Sequence, residues 1–344
     1  MRVKEPVLKE RIYLFDNIKL LAIILVVIGH AIDFIARQDG NHLEKSLFLI
    51  IYSVHMPLFI FISGLFTKPM DKETKFPKQK VISYVLIGIA IRIMMALLSI
   101  ILNEDFKYSV LDMYDSFAWF MWAMAVFISI VWLFREYNTK ILLLISLVIG
   151  CMSGFDKNLG DKLVLMRIVV FLPFFIIGYM IKPEQILRLI SKKWLKIISV
   201  LFVVGILLLF IFYTDTYKLF RSMFTGRNNF SYLGEYYNFG FIVRGMTYAV
   251  SALFGFSLLC LVPNKNLGFL SGVGTKTLQI YFWHKAFLFV LEHFDVYNRI
   301  SGLTGETLAT LIYILIAVLI AFICALPLFS FPTKQLISFG KNKK

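Results

Sequence analysis

The sequence predicts an all-α polytopic membrane protein, with about ten transmembrane helices and both termini in the cytoplasm. Three observations carry this expectation. Of the 344 residues, 59% are hydrophobic and only 17% charged, where a soluble domain would carry about 25% charged residues. Mostly apolar segments of roughly 15 to 25 residues recur along the whole length, as spanning helices require. The basic residues are also divided unevenly. With the N-terminus inside, an alternating path places 23 of the 36 Lys and Arg in inner segments and 10 in outer ones. That bias orients helices in a bilayer, and it demands an even number of them.

The segments fall at 18–36, 47–66, 81–102, 116–134, 140–154, 164–181, 194–213, 238–262, 274–292 and 304–330. The fifth is short. The tenth is long and contains Pro327, so it is expected to tilt or kink. The N-terminus lacks a short apolar core followed by a small-residue cleavage site, so the first segment is expected to stay as an anchor. Residues 1–344 read as a single membrane domain. The longest outer connection, 214–237, reads as a loop with no soluble domain. The expected location is a multi-pass position in the inner or plasma membrane, with the lipid bilayer as partner. The net charge of +15 then reflects orienting inner segments, and no nucleic-acid partner is implied. Cys151, Cys260 and Cys324 lie in or at apolar segments without metal-ligand spacing, so neither a disulfide framework nor a metal is expected.

Ionisable side chains at membrane depth are costly and point to function by default. His30 lies about 15 Å beyond the apolar start of the first segment, near the bilayer midplane. His55 in the second segment and His284 in the ninth can reach a similar depth, while His42 and His293 fall in or near outer loops. A single buried histidine often serves only to hydrogen-bond across helices. Three at one depth, in a chain with five, shift the reading towards a site. On the first helix Asp16, Lys19, His30, Asp33 and Arg37 share one stripe, because an offset of 11 residues returns to within about 20° of the same face. Arg11, Lys19 and Arg37 equally suit interfacial anchors. Imidazole is the usual general base near neutral pH. Arg92 in the third segment and Arg244 in the eighth each call for an anionic partner. Ser63 lacks the strand–turn–helix setting of a nucleophile and reads as a small packing residue beside Gly64.

In order along the chain, "RIYLFDNIKLLAIILVVIGH", "HMPLFIFISGLF", "FAWFMWAMAVF", "RIVVFLPFFIIGYMI" and "GVGTKTLQIYFWH" resemble the type 3 integral-membrane acyltransferases, within them the fucose 4-O-acetylase-like branch. The resemblance implies about ten spanning helices. It also implies transfer of acetyl, or another short acyl group, from a cytoplasmic acyl-CoA to a hydroxyl of an exported or lipid-linked glycan. The family's first-helix Arg and His align with Lys19 and His30, so this chain has a Lys where Arg is common. Lys cannot form the bidentate phosphate fork of Arg. The resemblance makes His30 the catalytic base; Asp33, on the same stripe of the first helix, is taken with it as a catalytic candidate from the residues themselves. Lys19, matched to the family position, and Arg11 and Arg92, from their charge and place, are candidates for holding acetyl-CoA; His55, Trp119 and Arg167, matched to family motifs, and His284, from its depth, are candidates for the substrate site. The outer stretch 214–240, rich in Tyr, Phe, Asn and Arg, suits either an acceptor platform or an interfacial aromatic belt. The competing reading is a proton-coupled secondary transporter of a glycan precursor or small acyl compound. Broken helix pairs in corresponding halves would mark such a transporter.

Overall fold

The computed structural model describes residues 11–37, 42–104, 117–159, 164–213 and 216–339. The Arg37 side chain lies outside the described residues, as do the remaining parts of the predicted connections and both chain ends. Backbone amides in hydrocarbon must be satisfied within their own segment, which favours helices. Among the described residues all regular structure is helical. In chain order the helices are α1 (Tyr13–Arg37), α2 (His42–Tyr52), α3 (His55–Leu65), α4 (Lys78–Ile101), α5 (Trp119–Leu133), α6 (Thr139–Met152), α7 (Leu165–Met180) and α8 (Pro183–Ile190). They continue with α9 (Lys193–Phe212), α10 (Tyr217–Phe224), α11 (Gly240–Leu261), α12 (Phe269–Val273), α13 (Thr277–His293), α14 (Val296–Thr304), α15 (Glu306–Cys324) and α16 (Thr333–Ser338).

Each of the ten predicted segments is helical. Six are long and apolar enough to cross a bilayer: α1, the pair α2–α3, α4, α9, the run that ends in α11, and α15. The other four are shorter: α5, α6, α7 and α13 have 15, 14, 16 and 17 residues. The protein is a polytopic membrane protein.

Four features differ from the expectation, each for a local reason. The second segment breaks at Ser53–Val54 between α2 and α3. Pro57 lies four residues beyond Ser53, where its ring clashes with a helical carbonyl and its missing N–H suits the first turn of a new helix. The tenth ends at Cys324, because Pro327 forces Leu326 into an extended conformation (ψ 151°). The carbonyls left at this end are taken up from α13 and the residue before it: Lys276 Nζ donates to Ala325 O at 2.8 Å, and Gln279 Nε2 donates to Cys324 O at 2.8 Å and Leu326 O at 3.0 Å. The stretch 214–237 is not a bare loop but contains α10 and a 3₁₀ segment, Phe230–Phe239. Tyr217, Met223 and Phe224 are buried, so a short amphipathic pattern folds onto the bundle. Arg244, expected to seek an anion, instead donates to Met223 O at 2.7 Å and Asn228 O at 3.2 Å. Its cation thus meets the negative C-terminal end of α10.

α1 sits at the centre of the bundle, touching α2, α3, α13 and α15. Leu14, Ile18, Ala22, Ile23 and Val27 are all fully buried. His30 therefore faces protein rather than lipid. Helices α3 and α7 cross with their backbones in contact. A Cβ on Gly64 would lie 2.1 Å from Phe175 O, and one on Gly178 would lie 2.0 Å from Phe61 O, a small-residue crossing typical of membrane helices. By contrast α9 leaves Ile197, Leu201 and Leu208 exposed, a surface suited to lipid.

Contacts between connections respect the alternating path. The start of α1 bonds to residues 263–271, and Arg135 bonds to Lys72 O, all in predicted inner segments. His293 meets Glu104, and Asn229 donates to Lys157 O, all in predicted outer ones.

Candidate active site

A cavity of about 140 Å³ opens beside Lys19 and runs inwards between α1, α3, α4, α5 and α13. Three helices give it a regular wall. From α1 come Lys19, Ile23 and Val26, offsets of four and seven residues that fall on one helical face. The next position on that face is His30. From α13 come Thr277 and Tyr281, and the next member of that stripe is His284. From α3, running the other way, come Ser63, Phe59 and Met56, with His55 just before them. The three histidines are not among the lining residues; each stands at the next position of its stripe, with His30 about 16 Å from Lys19 along α1.

Two of these rings are close. His30 and His284 have ring centroids 5.3 Å apart. Phe117 lies against both, at 6.5 and 5.7 Å, and Tyr281 lies 5.8 Å from His284. The Tyr281 hydroxyl donates to Phe117 O, which ties the chain just before α5 over the pair. Neither His284 nor His55 is exposed, whereas His30 is only half-buried. His284 Nδ1 contacts the carbonyls of Ile280 and Tyr281, and His55 Nδ1 contacts Ile51 O at 2.7 Å. Lys285 is bonded to Glu292 at 2.7 Å.

The mouth of the cavity carries an ion triad. Asp16 accepts from Arg11 Nε at 2.7 Å and pairs with Lys19 Nζ at 2.9 Å. Two cations on one carboxylate leave a net positive charge there. Sequence reasoning missed the neighbouring Asn17. Its Nδ2 donates to Pro263 O at 2.8 Å and Lys265 O at 2.9 Å, and its Oδ1 accepts from Ser271 at 2.6 Å. A polar amide next to Asp16 inside an otherwise apolar stripe was the available signal. This hub pins the inner end of α1 to the segment leading into α13, so both walls of the cavity hold their register. The approach is tight enough that a Cβ on Gly274 would lie 1.9 Å from Asp16 O.

The remaining candidates fall into separate places. Arg167, counted in an outer loop by charge patterning, is buried in the first turn of α7. Its guanidinium lies 5.0 Å from the Trp119 ring, which stacks on Phe171 at 5.4 Å. Arg92 is buried on α4, two turns further along that helix than the cavity-lining Tyr84, so it is not at the mouth with Lys19 and Arg11. Asp33 lies one turn beyond His30 and pairs with Arg221 of α10 at 3.6 Å. Arg221 also sits over the Phe48 ring at 5.5 Å, and Tyr217 donates to Ala36 O at 3.3 Å. Helix α10 is thereby held across the outer end of α1. Glu44, also missed by sequence reasoning, is fully buried and accepts from Thr310, which in turn meets Tyr297.

Ionisable side chains buried in a helical membrane bundle, beside an apolar cavity with a cationic mouth, suit a membrane enzyme and a proton-coupled transporter alike, and the family separates the two. The family model described as an acyltransferase domain matches residues 12–326, and the chain belongs to this family, the type 3 acyltransferases. It is an acyltransferase. Comparison with curated proteins and with solved structures gives no match.

Proposed function

We propose that this acyltransferase moves an acetyl, or another short acyl group, from a cytoplasmic acyl-CoA to a hydroxyl of an exported or lipid-linked glycan at the inner or plasma membrane, as in the fucose 4-O-acetylase-like branch it resembles. The observation that supports this most is the cavity lined from Lys19 to Val26 on α1 and from Thr277 to Tyr281 on α13, one helical step short of the His30–His284 pair. Its mouth carries the net positive charge of Arg11 and Lys19 on Asp16, suited to CoA phosphates. Its wall is mostly apolar, with Ile23, Val26, Met56, Phe59 and Leu278, suited to a slender thioester arm while the nucleotide stays outside.

In the proposed reaction the acceptor hydroxyl gives its proton to His30 as its oxygen attacks the thioester carbonyl. The new C–O bond forms, the C–S bond breaks, and the departing thiolate takes the proton from His30. Arg167, whose guanidinium lies over the Trp119 ring, is the cation that steadies negative charge on the carbonyl oxygen. The acceptor approaches from the α10 side, where Tyr232 and Tyr236 are exposed and offer ring faces to a sugar. The test is mass spectrometry of surface glycans from cells with and without the protein. A mass gain of one acyl unit per sugar is expected, and its size names the donor. Identical glycans, with the protein present and folded in the membrane, would exclude this function.

A further inference from the structure

Both backbone contacts of His284 fall on one ring nitrogen. Nδ1 lies 2.8 Å from Tyr281 O and 3.1 Å from Ile280 O. A carbonyl only accepts, so Nδ1 carries the proton and Nε2 is left as an acceptor. That Nε2 is buried and has no hydrogen-bond partner among the described residues. Leaving such an atom unmatched is costly, and only a donor can relieve it. The His30 ring is centred 5.3 Å away, tilted by 38°. Two imidazoles joined by an N–H···N bond of about 3 Å have centres at this separation once their nitrogens face each other.

We propose that His284 is a positioning residue for His30. When the His30 ring turns towards it, His284 Nε2 accepts the N–H of the nearer His30 nitrogen. The other His30 nitrogen is then fixed as the base aimed at the acceptor hydroxyl. This inference rests on the reading of His30 as the base. His284 does for His30 what a buried carboxylate does for the histidine of a hydrolase triad: it selects the tautomer and steadies the imidazolium that forms. An imidazole in that role keeps the resting pair neutral, which a membrane interior favours over a buried carboxylate. Asp33, the carboxylate three residues from His30, is engaged by Arg221 on the outer side. The proton balance of the transfer is unchanged, because His284 retains its Nδ1 proton throughout.

Two substitutions separate positioning from a merely structural tether. In His284→Asn the amide nitrogen reaches the place of Nδ1 and keeps the bonds to the carbonyls, but nothing reaches the place of Nε2. In His284→Gln the amide oxygen reaches the place of Nε2 and can accept from His30, while the tether is lost. Acyl mass on surface glycans is followed over time for the parent, both variants and His30→Ala, with acetyl-CoA affinity and melting temperature measured on the purified proteins. The Asn variant is expected to lose transfer by about 100-fold or more with unchanged acetyl-CoA affinity, and the Gln variant to retain clearly more activity than Asn. If Asn lowers the melting temperature, the Gln variant carries the test alone, since it lacks the tether yet should still transfer. An active Asn variant beside an inactive Gln variant makes His284 a tether and overturns the proposal, as does parental activity in both. A parent that adds no acyl mass contradicts the function reading itself, and the inference falls with it.

Discussion

Replacing Lys19 by Gln tests the donor end of the cavity. The Lys19 side chain is about one quarter exposed and shares Asp16 with Arg11. Removing it leaves the Arg11–Asp16 pair intact, so the local charge falls from about +1 to zero without exposing an unpaired carboxylate. A cation about 4 Å from a phosphate at an effective dielectric near 20 gains ~4 kcal/mol before costs. Competition from Asp16, salt screening and partial exposure reduce this to about 1–2 kcal/mol. Acetyl-CoA affinity should therefore fall roughly 5- to 30-fold. The reacting groups lie about 16 Å further along α1, so turnover at saturating donor should hardly change. Lys19→Arg should bind as well as the parent or more tightly, because guanidinium forms the bidentate fork that ammonium cannot. The assay is calorimetric titration of acetyl-CoA into the purified protein at low and moderate salt, which needs no acceptor. Unchanged affinity in Lys19→Gln, or equal losses in the Gln and Arg variants, would refute a donor-binding role for this cation.

Three further outcomes follow from the packing. Val26→Phe places a ring in a cavity of about 140 Å³, so acetyl-CoA should lose its stabilising effect on the melting temperature while the unliganded protein melts as before. Gly274→Ala forces a Cβ towards Asp16 O, 1.9 Å away in the present backbone; the cost should be about 1–3 kcal/mol, read as a lower melting temperature in detergent. Asn17→Ala removes three hydrogen bonds at once and orphans two backbone carbonyls. It should destabilise by about 2–4 kcal/mol and weaken acetyl-CoA binding, whereas Ser271→Ala should cost less.

The helices were legible because apolar length is a strong signal in membrane proteins, and each predicted segment holds a helix. Their interruptions were less so. The break at Ser53–Val54 has its cause in Pro57, but a hydropathy window averages over it. Helix α10 escaped because its apolar residues are spaced for an amphipathic surface helix rather than a span. Charge counting put Arg167 outside, although it lies in the first turn of α7; a residue at a segment edge is poorly placed by such counting. For the candidate site, the 11-residue offset between Lys19 and His30 could be read directly, since one helix carries both. That His284 rather than Asp33 lies ring to ring with His30 could not, because it depends on α13 packing against α1. Asn17, Glu44 and the tautomer of His284 also required the neighbouring helices.

His30, in the proposed reaction, moves the proton that allows acyl transfer at the end of the cavity far from Lys19. The most direct measurement compares surface glycans from cells carrying the parent protein and His30→Ala, at matched membrane levels and melting temperatures. The account predicts an acyl mass gain with the parent and none, or less than about 1% of it, with His30→Ala. Full acylation by His30→Ala would contradict it.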